Sequence, residues 1–341
     1  MIFLRRATLR RAAVGGLALL LFISPVAVPA LGAGGDDLPG NPLLTRRTER
    51  ALERGLKALQ DRQRDDGGWD KGNRVGVSAL VMIAYMMHAH FPGEGPYGDT
   101  MQRGLDFLLK ASESGMHGYM GTNMYSHGLA TLALSELWGQ TDSDEKVRKA
   151  LKAGVDIILQ SQGSTGGWRY NPEPSGGDVS VTAMQLVALA SARQAGILVP
   201  DETIDKAIRY VKWCHVPSEG GFSYFPQSGP GSSGWQRTGA AVTSLWLADE
   251  HECKEVEAGV EYLHEQLEVS LSGAHIEYGH YYAAITMHLV GEEEFGKWYP
   301  AVRDMLLERQ REDGTWGGDY STAMYMIVLG LPRFFVPAYQ R

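Results

Sequence analysis

Several side chains that could take part in chemistry lie near the starts of apolar segments in this chain: a carboxylate, an imidazole, a guanidinium, two phenols and a hydroxyl. A carboxylate and an imidazole can move protons, whereas a guanidinium and a phenol can orient a ligand or stabilise its charge. Asp178 and His127 are therefore the best catalytic candidates. The candidate ligand-binding residues are His127, Asp178, Ser180, Arg237, Tyr281 and Tyr320.

Most of these residues also have a purely structural interpretation. Asp178 is a favourable N-cap for the segment that follows it, and Arg237 could simply neutralise it. His127 could be a core histidine bonded to a neighbouring loop, and the two tyrosines could be core aromatics with bonded hydroxyls. A functional site requires these side chains to face one solvent-connected cavity.

The elements that position these residues form a repeat. The phrase Gln, three residues, Gly, one residue, Trp occurs at 63–69, 162–168 and 310–316. A period of about fifty residues is typical of an array in which each repeat is one supersecondary unit. Degenerate copies, in which the Trp is replaced and the Gln is lost, centre on Tyr119, Phe222 and Tyr278.

Each repeat has the same order of segments. A charged segment with apolar residues at helical spacing, such as Leu52, Leu56 and Leu59, precedes the Gly-rich loop. A second segment, apolar on all sides, follows the loop, which indicates a helix buried on all sides. Strand-like alternation is absent. The sequence therefore predicts an all-α fold, an α/α toroid that closes about six outer and six inner helices into a double ring.

The repeated phrase has a structural explanation in such a ring. Its Gly supplies the positive φ that ends an outer helix, its Gln can bond the loop backbone, and its Trp covers the gap between neighbouring helix pairs. Each loop also leads into the N-terminus of an inner helix. We therefore expect the six inner N-termini, and the candidate residues near them, to crowd one mouth of the ring, where anionic groups are favoured.

The N-terminal residues look like a targeting segment. Arginines at 5–11 precede an apolar run at 12–23, and small residues follow up to Ala30 and Ala33. This layout predicts a signal peptide over residues 1–33 and a periplasmic or secreted protein. Membrane association is expected only if that segment is not cleaved. A single toroid domain is expected over residues 34–341.

Net charge and cysteine content indicate which partners and which disulfides to expect. The net charge of the 341-residue chain is -8, which argues against nucleic acid as a partner. Two cysteines, Cys214 and Cys253, are too few for a disulfide scaffold. We expect them not to pair, because parallel outer helices would place them on opposite faces, roughly 20 Å apart.

The repeated phrase resembles the QW motif of the prenyltransferase and squalene-cyclase repeat superfamily, from about Leu43 to Gln340. The resemblance implies an α/α toroid. The segment 178–183, DVSVTA, is similar to the D-x-D-D-T-A protonating motif of squalene-hopene-type cyclases. Asp178 matches its first Asp, but Ser180 stands where the family has its general acid. A serine hydroxyl cannot protonate an alkene, so the resemblance implies a toroid without that step.

Comparison with the motifs of other superfamily members predicts no cofactor and no metal for this chain. The zinc element of prenyltransferase β-subunits is missing, and Asp249, His251 and Cys253 are best interpreted as a charged helix junction. The predicted function is an exported, terpenoid-cyclase-like toroid that binds a ligand or partner in its central cavity. An apolar or isoprenoid-like small molecule fits a lumen lined by methionines and aromatics. The alternative is an enzyme with altered machinery, either isoprenoid-modifying or a polysaccharide lyase that uses Arg237 with Asp178.

Overall fold

Twelve α-helices follow one another in the part of the chain that the structure, a computed structural model, describes, residues 37–38, 41–266 and 274–333. The outer helices are α1 (Arg46–Asp61), α3 (Gly98–Ser114), α5 (Asp144–Gln160), α7 (Asp201–Trp213), α9 (Lys254–Glu265) and α11 (Glu292–Arg309). The inner helices are α2 (Arg74–Met87), α4 (Met124–Leu137), α6 (Val179–Gln194), α8 (Trp235–Leu247), α10 (Ile276–Val290) and α12 (Asp319–Gly330).

Short elements flank or interrupt this series. Strands β1 (Asp37–Leu38) and β2 (Asn41–Thr45) form an antiparallel pair before α1. Single 3₁₀ turns occupy Gly95–Tyr97, Met116–Gly118 and Leu331–Arg333. The predicted signal peptide, residues 1–33, lies outside the described residues. None of the described helices is long and apolar enough to cross a membrane.

The inner helices form a closed ring. Each packs against the next in the order α2, α4, α6, α8, α10 and α12, and α12 packs back against α2. Each outer helix packs on the inner helix of the preceding repeat, α3 on α2 for example, and α1 packs on α12. The predicted α/α toroid is therefore confirmed, and the first and last repeats meet at a seam between α1, α2 and α12.

Burial follows the predicted division between outer and inner helices. Leu52, Leu56 and Leu59 of α1 are buried on one face, while the opposite face of α1 is charged and exposed. In α2, by contrast, every residue from Gly76 to Met87 is buried. A helix without a polar face gains most by burying all its sides, and the inner ring provides that environment.

The glutamine of the repeated phrase joins neighbouring repeats. Gln63 Nε2 donates to the carbonyl of Gly67 at 2.8 Å and to the carbonyl of Thr100, in the next outer helix, at 2.9 Å. The other two glutamines form the same pair of bonds, Gln162 to Gly166 and Thr203 and Gln310 to Gly314 and Ala51. The phrase glycines have the expected positive φ, 89° at Gly67, 95° at Gly166 and 83° at Gly314. They do not end the outer helices, however, because those helices already end at Asp61, Gln160 and Arg309, so the glycines shape the loop that follows.

The tryptophans of the phrase are buried wedges between repeats. Each indole Nε1 donates to a carbonyl ten residues earlier, from Trp69 to Leu59 at 2.7 Å for example. The ring of Trp69 lies against Gly104 of the next outer helix, where a Cβ would approach it to 3.1 Å. Trp168 and Trp316 donate in the same way to Ile158 and Leu306. The structural role predicted for these rings agrees with their contacts.

Cys214 and Cys253 are both free, as expected, but the geometric reason given for it is wrong. The end of α7 lies near the start of α9: Lys212 Nζ pairs with Glu250 Oε2, in the loop before α9, at 2.5 Å, and it interacts electrostatically with Cys253 and Glu255. Outer helices are therefore arranged so that the end of one approaches the beginning of the next. Cys214 is fully buried, and that burial raises the pKa of its thiol.

We expect Trp168→Ala to lower the free energy of unfolding by about 3–5 kcal/mol, because it empties a fully buried site and removes the bond to Ile158. Urea unfolding followed by circular dichroism measures the loss. Trp213→Ala is the matched control, since Trp213 is 45% exposed on α7, and it should change stability by only about 0.5 kcal/mol. Equal losses in the two variants would contradict a wedge role.

Candidate binding site at the mouth of the ring

The end of the ring where the inner helices begin is here called the mouth. At the mouth, the loops that precede α6 and α8 each cover the start of the preceding inner helix. The first amide of α4, at Met124, donates to the carbonyl of Tyr170 at 2.8 Å, and that of α6, at Val179, donates to the carbonyl of Tyr224 at 3.1 Å. The loops thus replace bulk water as partners for the helix N-termini.

Asp178 lies at this mouth, where α6 begins. It is the N-cap of α6, and its Oδ1 accepts from the amide of Val181 at 2.9 Å. The carboxylate is fully buried, and its Oδ2 lies 3.5 Å from Nη1 of Arg169 without a well-directed hydrogen bond. Burial raises the pKa of Asp178, while the Val181 amide, Arg169 and the nearby Tyr224 hydroxyl oppose that rise.

The cation beside Asp178 is Arg169, not Arg237. The Arg169 guanidinium lies 5.3 Å from the ring centre of Phe225 and 5.8 Å from that of Tyr170. Arg237 instead donates from Nη2 to the carbonyl of Ser232 at 2.9 Å, within its own loop. The pairing of Arg237 with Asp178 that the sequence suggested is therefore corrected, since the loop after Trp168 brings Arg169 closer.

An open cavity of about 500 Å³ lies above this ion pair. Tyr170 and Phe225 flank it with 44% and 45% of their surfaces exposed. The Tyr224 hydroxyl donates to the Tyr170 hydroxyl at 3.2 Å. We call this cavity the mouth depression. Its lining residues are Arg169, Tyr170, Asn171, Ser175, Gly176, Gly177 and Phe225.

His127 is tied into the wall of the ring. Its Nδ1 accepts from the amide of Met120 at 3.0 Å, so Nε2 carries the proton and donates to the carbonyl of Gly154, in α5, at 2.9 Å. The ring is completely buried, and that burial lowers its pKa to about 4. In four other repeats the corresponding loop amide donates to a side-chain hydroxyl instead, and these hydroxyls belong to Ser78, Thr182, Thr238 and Thr322. The imidazole faces the outer helix and not the mouth depression.

Tyrosines close the lumen about one turn below the mouth. The hydroxyls of Tyr125 on α4 and Tyr282 on α10 are 3.2 Å apart, although these helices lie on opposite sides of the inner ring. Tyr282 also reaches Sδ of Met184 on α6 at 3.5 Å. The expected apolar lumen is thus bridged by phenols at this level. Burial raises the pKa of both hydroxyls well above the usual value, so they stay protonated.

The remaining candidates belong to this tyrosine group. Tyr281 is buried, with its ring 4.8 Å from that of Tyr282. The half-buried Ser180 and Tyr320 both lie close enough to Tyr278 to influence its ionisation. The structure therefore groups Ser180, Tyr281 and Tyr320 around the top of the lumen, beside Asp178. It does not bring His127 or Arg237 into that group.

Sequence reasoning missed the residues that shape the mouth depression. Tyr170 and Tyr224 each lie two residues after the central aromatic of their repeat, Trp168 and Phe222. Placing the repeats in register would have marked these positions as neighbours, because adjacent loops meet at the mouth. Arg169 directly follows Trp168, so the same alignment of the repeats would have placed it at the mouth as well.

Acidic and sulfur ligands do not converge in the part of the chain that the structure describes, where no group of three or more could hold a metal ion. At the predicted helix junction, His251 Nδ1 lies 3.7 Å from Asp249 Oδ1. Both side chains are partly or largely exposed. This contact is an ordinary surface interaction.

Comparison with known proteins places the fold among α/α toroids. No protein-family model and no curated protein matches the chain. A variant of the type II terpene cyclase MstE from Scytonema, with geranylgeranyl dihydroxybenzoate bound, superposes with a TM-score of 0.60 at 14% identity, over 85% of this chain and 98% of that one. These two chains share a fold. The chain is an α/α toroid.

Two further structures resemble the chain equally well. The GH76A α-1,6-mannanase from Salegentibacter sp. HEL1_6 has a TM-score of 0.61 at 8% identity, over 84% of this chain and 99% of that one. A protein from Actinoplanes has a TM-score of 0.58 at 18% identity, with 84% and 99% covered. A cyclase and a mannanase on one fold show that the likeness defines architecture and not chemistry.

The pKa of His127 yields a prediction about stability and pH. Because burial lowers this pKa from 6.5 to about 4, the fold requires the neutral ring. The stabilisation is complete above the unfolded pKa and is lost as pH falls towards the folded one. When the pH is lowered from 7.5 to 5, the unfolding free energy of the parent should therefore fall by about 2 kcal/mol more than that of the His127→Gln variant. Urea titrations at both pH values measure this difference, and equal losses would contradict it.

Proposed function

We propose that this chain is a ligand-binding α/α toroid of terpenoid-cyclase-like architecture, and that its ligand occupies the mouth depression. The observation that carries the proposal is the pair of half-exposed aromatic rings, Tyr170 and Phe225, above the buried ion pair of Arg169 and Asp178. Deeper binding in the lumen is disfavoured by the hydroxyl contact between Tyr125 and Tyr282.

The ion pair argues for a neutral oxygen on the ligand. Arg169 donates no hydrogen bond to any acceptor among the described residues, and its side chain is 36% exposed, so its donors other than the buried Nη1 remain available to a ligand oxygen in the depression. The buried carboxylate of Asp178 offsets the guanidinium charge, which disfavours an anionic group beside it. A hydroxyl or carbonyl oxygen fits this arrangement. Asp178 then acts as a positioning residue that holds Arg169 from below.

The aromatic rings argue for an apolar body on the same ligand. Tyr170 and Phe225 present about half of their surfaces to solvent, and burying them would supply most of the binding free energy. An isoprenoid-like alcohol combines an apolar chain with one hydroxyl. It therefore satisfies both parts of the depression.

The proposal includes no protonation-initiated cyclisation. Ser180 occupies the position of the general acid in the resembling motif, and a serine hydroxyl is too weak an acid to protonate an alkene. Asp178 lies two residues away, but it caps α6 and faces Arg169. Neither group is placed to deliver a proton to an alkene in the depression.

A saccharide-processing enzyme is the second candidate, favoured by one observation. The phenols of Tyr170 and Tyr224 share a hydrogen bond beside Arg169, and such a group could move a proton on a sugar ring. The lyase chemistry considered for Arg237 would then fall to Arg169. A saccharide would also place several neutral hydroxyls in the depression.

Calorimetric titration with three probes tests these proposals. Farnesol should bind, and farnesene, which lacks the hydroxyl, should bind at least about tenfold more weakly, because a hydrogen bond to a charged donor contributes about 1.5–3 kcal/mol. Arg169→Met should remove the difference between the two ligands. Tyr170→Ala with Phe225→Ala should abolish farnesol binding, whereas the control Trp213→Ala should leave it unchanged. Binding of α-1,6-mannotriose instead of farnesol would favour the saccharide candidate and overturn the isoprenoid one.

We also propose that the chain is exported, with residues 1–33 removed and the mature protein periplasmic or secreted. The support is the arginine-rich start, the apolar run and the small residues that precede Ala33. Intact mass measurement of the protein from the culture medium and from cell fractions tests it. A cytoplasmic protein that retains Met1 would contradict the proposal.

A further inference from the structure

A second cavity, of about 300 Å³, lies where the ring closes. The loop between α1 and α2 meets the start of α12 there, so the cavity contains residues from the first and the last repeat. We call it the seam cavity. Its lining residues are Arg62, Arg64, Asp70, Lys71 and Asp319, three cations and two carboxylates.

Both carboxylates of the seam cavity are satisfied by the protein. Asp319 accepts from Nε of Arg62 through Oδ1, and from the amide of Asp70 through Oδ2 at 2.9 Å. The Oδ2 of Asp70 accepts from the amides of Gly72 at 3.1 Å and Asn73 at 3.0 Å. These acidic groups therefore hold the loop in place, and their two negative charges leave one net positive charge among the three cations and two carboxylates that line the cavity.

The cations, in contrast, have donors to spare. Within the described residues, no hydrogen bond leaves the Arg64 side chain or Nζ of Lys71, and Arg62 uses only its Nε. Arg311 approaches from the α12 side, where its Nη2 would lie 3.6 Å from a Cβ at Gly317. These cations make the surface at the seam locally positive, whereas the whole chain has a net charge of -8.

Two carboxylates just outside the cavity are engaged elsewhere. Asp66 pairs with Nη2 of Arg74 at 2.6 Å, and this bond is the main reason for its lowered pKa. Asp313 accepts from the amide of Thr315 at 3.0 Å and from its hydroxyl at 2.7 Å, which lowers its pKa. Arg64 and Arg62 contribute smaller lowerings to these two groups. Neither carboxylate is a direct partner of the cavity cations.

The backbone around the seam cavity adds positive potential. Helices α2 and α12 both begin beside it, after Asn73 and Gly318, and neither of these residues makes a side-chain capping bond. The first amides of both helices therefore lack the side-chain acceptor that Asp178 provides for α6. An uncapped N-terminus carries a partial positive charge and favours an anion.

We propose that the seam cavity binds a phosphate-type anion, either free phosphate or the phosphate of a lipid headgroup. The guanidiniums of Arg62 and Arg64 and the ammonium of Lys71 supply charge-assisted donors. Such an anion touches the α1–α2 loop and the start of α12 at once, so its binding favours the closed ring. The proposal is independent of the ligand proposed for the mouth depression.

Thermal unfolding of the full chain in sodium phosphate, compared with sodium chloride at equal ionic strength and pH, tests the proposal. Phosphate should raise the melting temperature by a few degrees in a saturable manner, because it binds only the folded chain. Arg64→Gln with Lys71→Gln should weaken the apparent phosphate affinity at least about tenfold. The matched control is Arg148→Gln with Lys149→Gln, which changes the charge equally on the exposed face of α5 and should respond as the parent does.

Vesicle sedimentation separates the two sources of phosphate. Binding to phosphatidylglycerol vesicles but not to phosphatidylcholine vesicles, lost in the Arg64 and Lys71 variant, would identify a headgroup as the source. A response to free phosphate without vesicle binding would identify the free anion. An equal phosphate response in the seam variant and in the control variant, with no vesicle binding, would overturn the proposal.

Discussion

One hydrogen-bonding group, the carboxamide nitrogen of the phrase glutamine, joins neighbouring repeats at three places around this ring. Gln63 and Gln162 each donate to their own loop and to the first turn of the following outer helix. Gln310 makes the same two bonds, but its following helix is α1, at the other end of the chain. The seam is therefore built from the same joint as the interior. A single such bond contributes only about 1 kcal/mol net, but it fixes where the next helix starts.

The fold could be predicted from the sequence because its determinants are local and repeated. The phrase and the alternation of charged and apolar segments require only a count along the chain, and both led to the α/α toroid. The orientation of the outer helices could not be counted in this way. The ion pair of Lys212, near the end of α7, with Glu250, in the loop before α9, depends on how neighbouring repeats pack, and no pattern in the sequence encodes that packing.

The candidate site was predictable only in part, for a related reason. Position at the start of an inner helix correctly placed Asp178, Ser180 and Tyr320 near the mouth. It could not show that His127 takes the place of the serine or threonine of other repeats and reaches outward to Gly154. It also could not show that Arg169 reaches Asp178 before Arg237 does, because loop conformation decides that contact.

Closure of the ring also constrains how the chain can fold. Helix α1 packs on α12, and Arg62 contacts Asp319 across more than 250 residues of intervening chain. These contacts cannot form until the last repeat is complete, and long-range contacts of this kind slow folding through the entropy of loop closure. Until then α1 and α2 present unpaired apolar faces. Formation of α12 therefore limits the closure of the ring. A growing chain can assemble the earlier repeats into an open arc, and the arc becomes a closed ring only when α12 packs against α1 and α2.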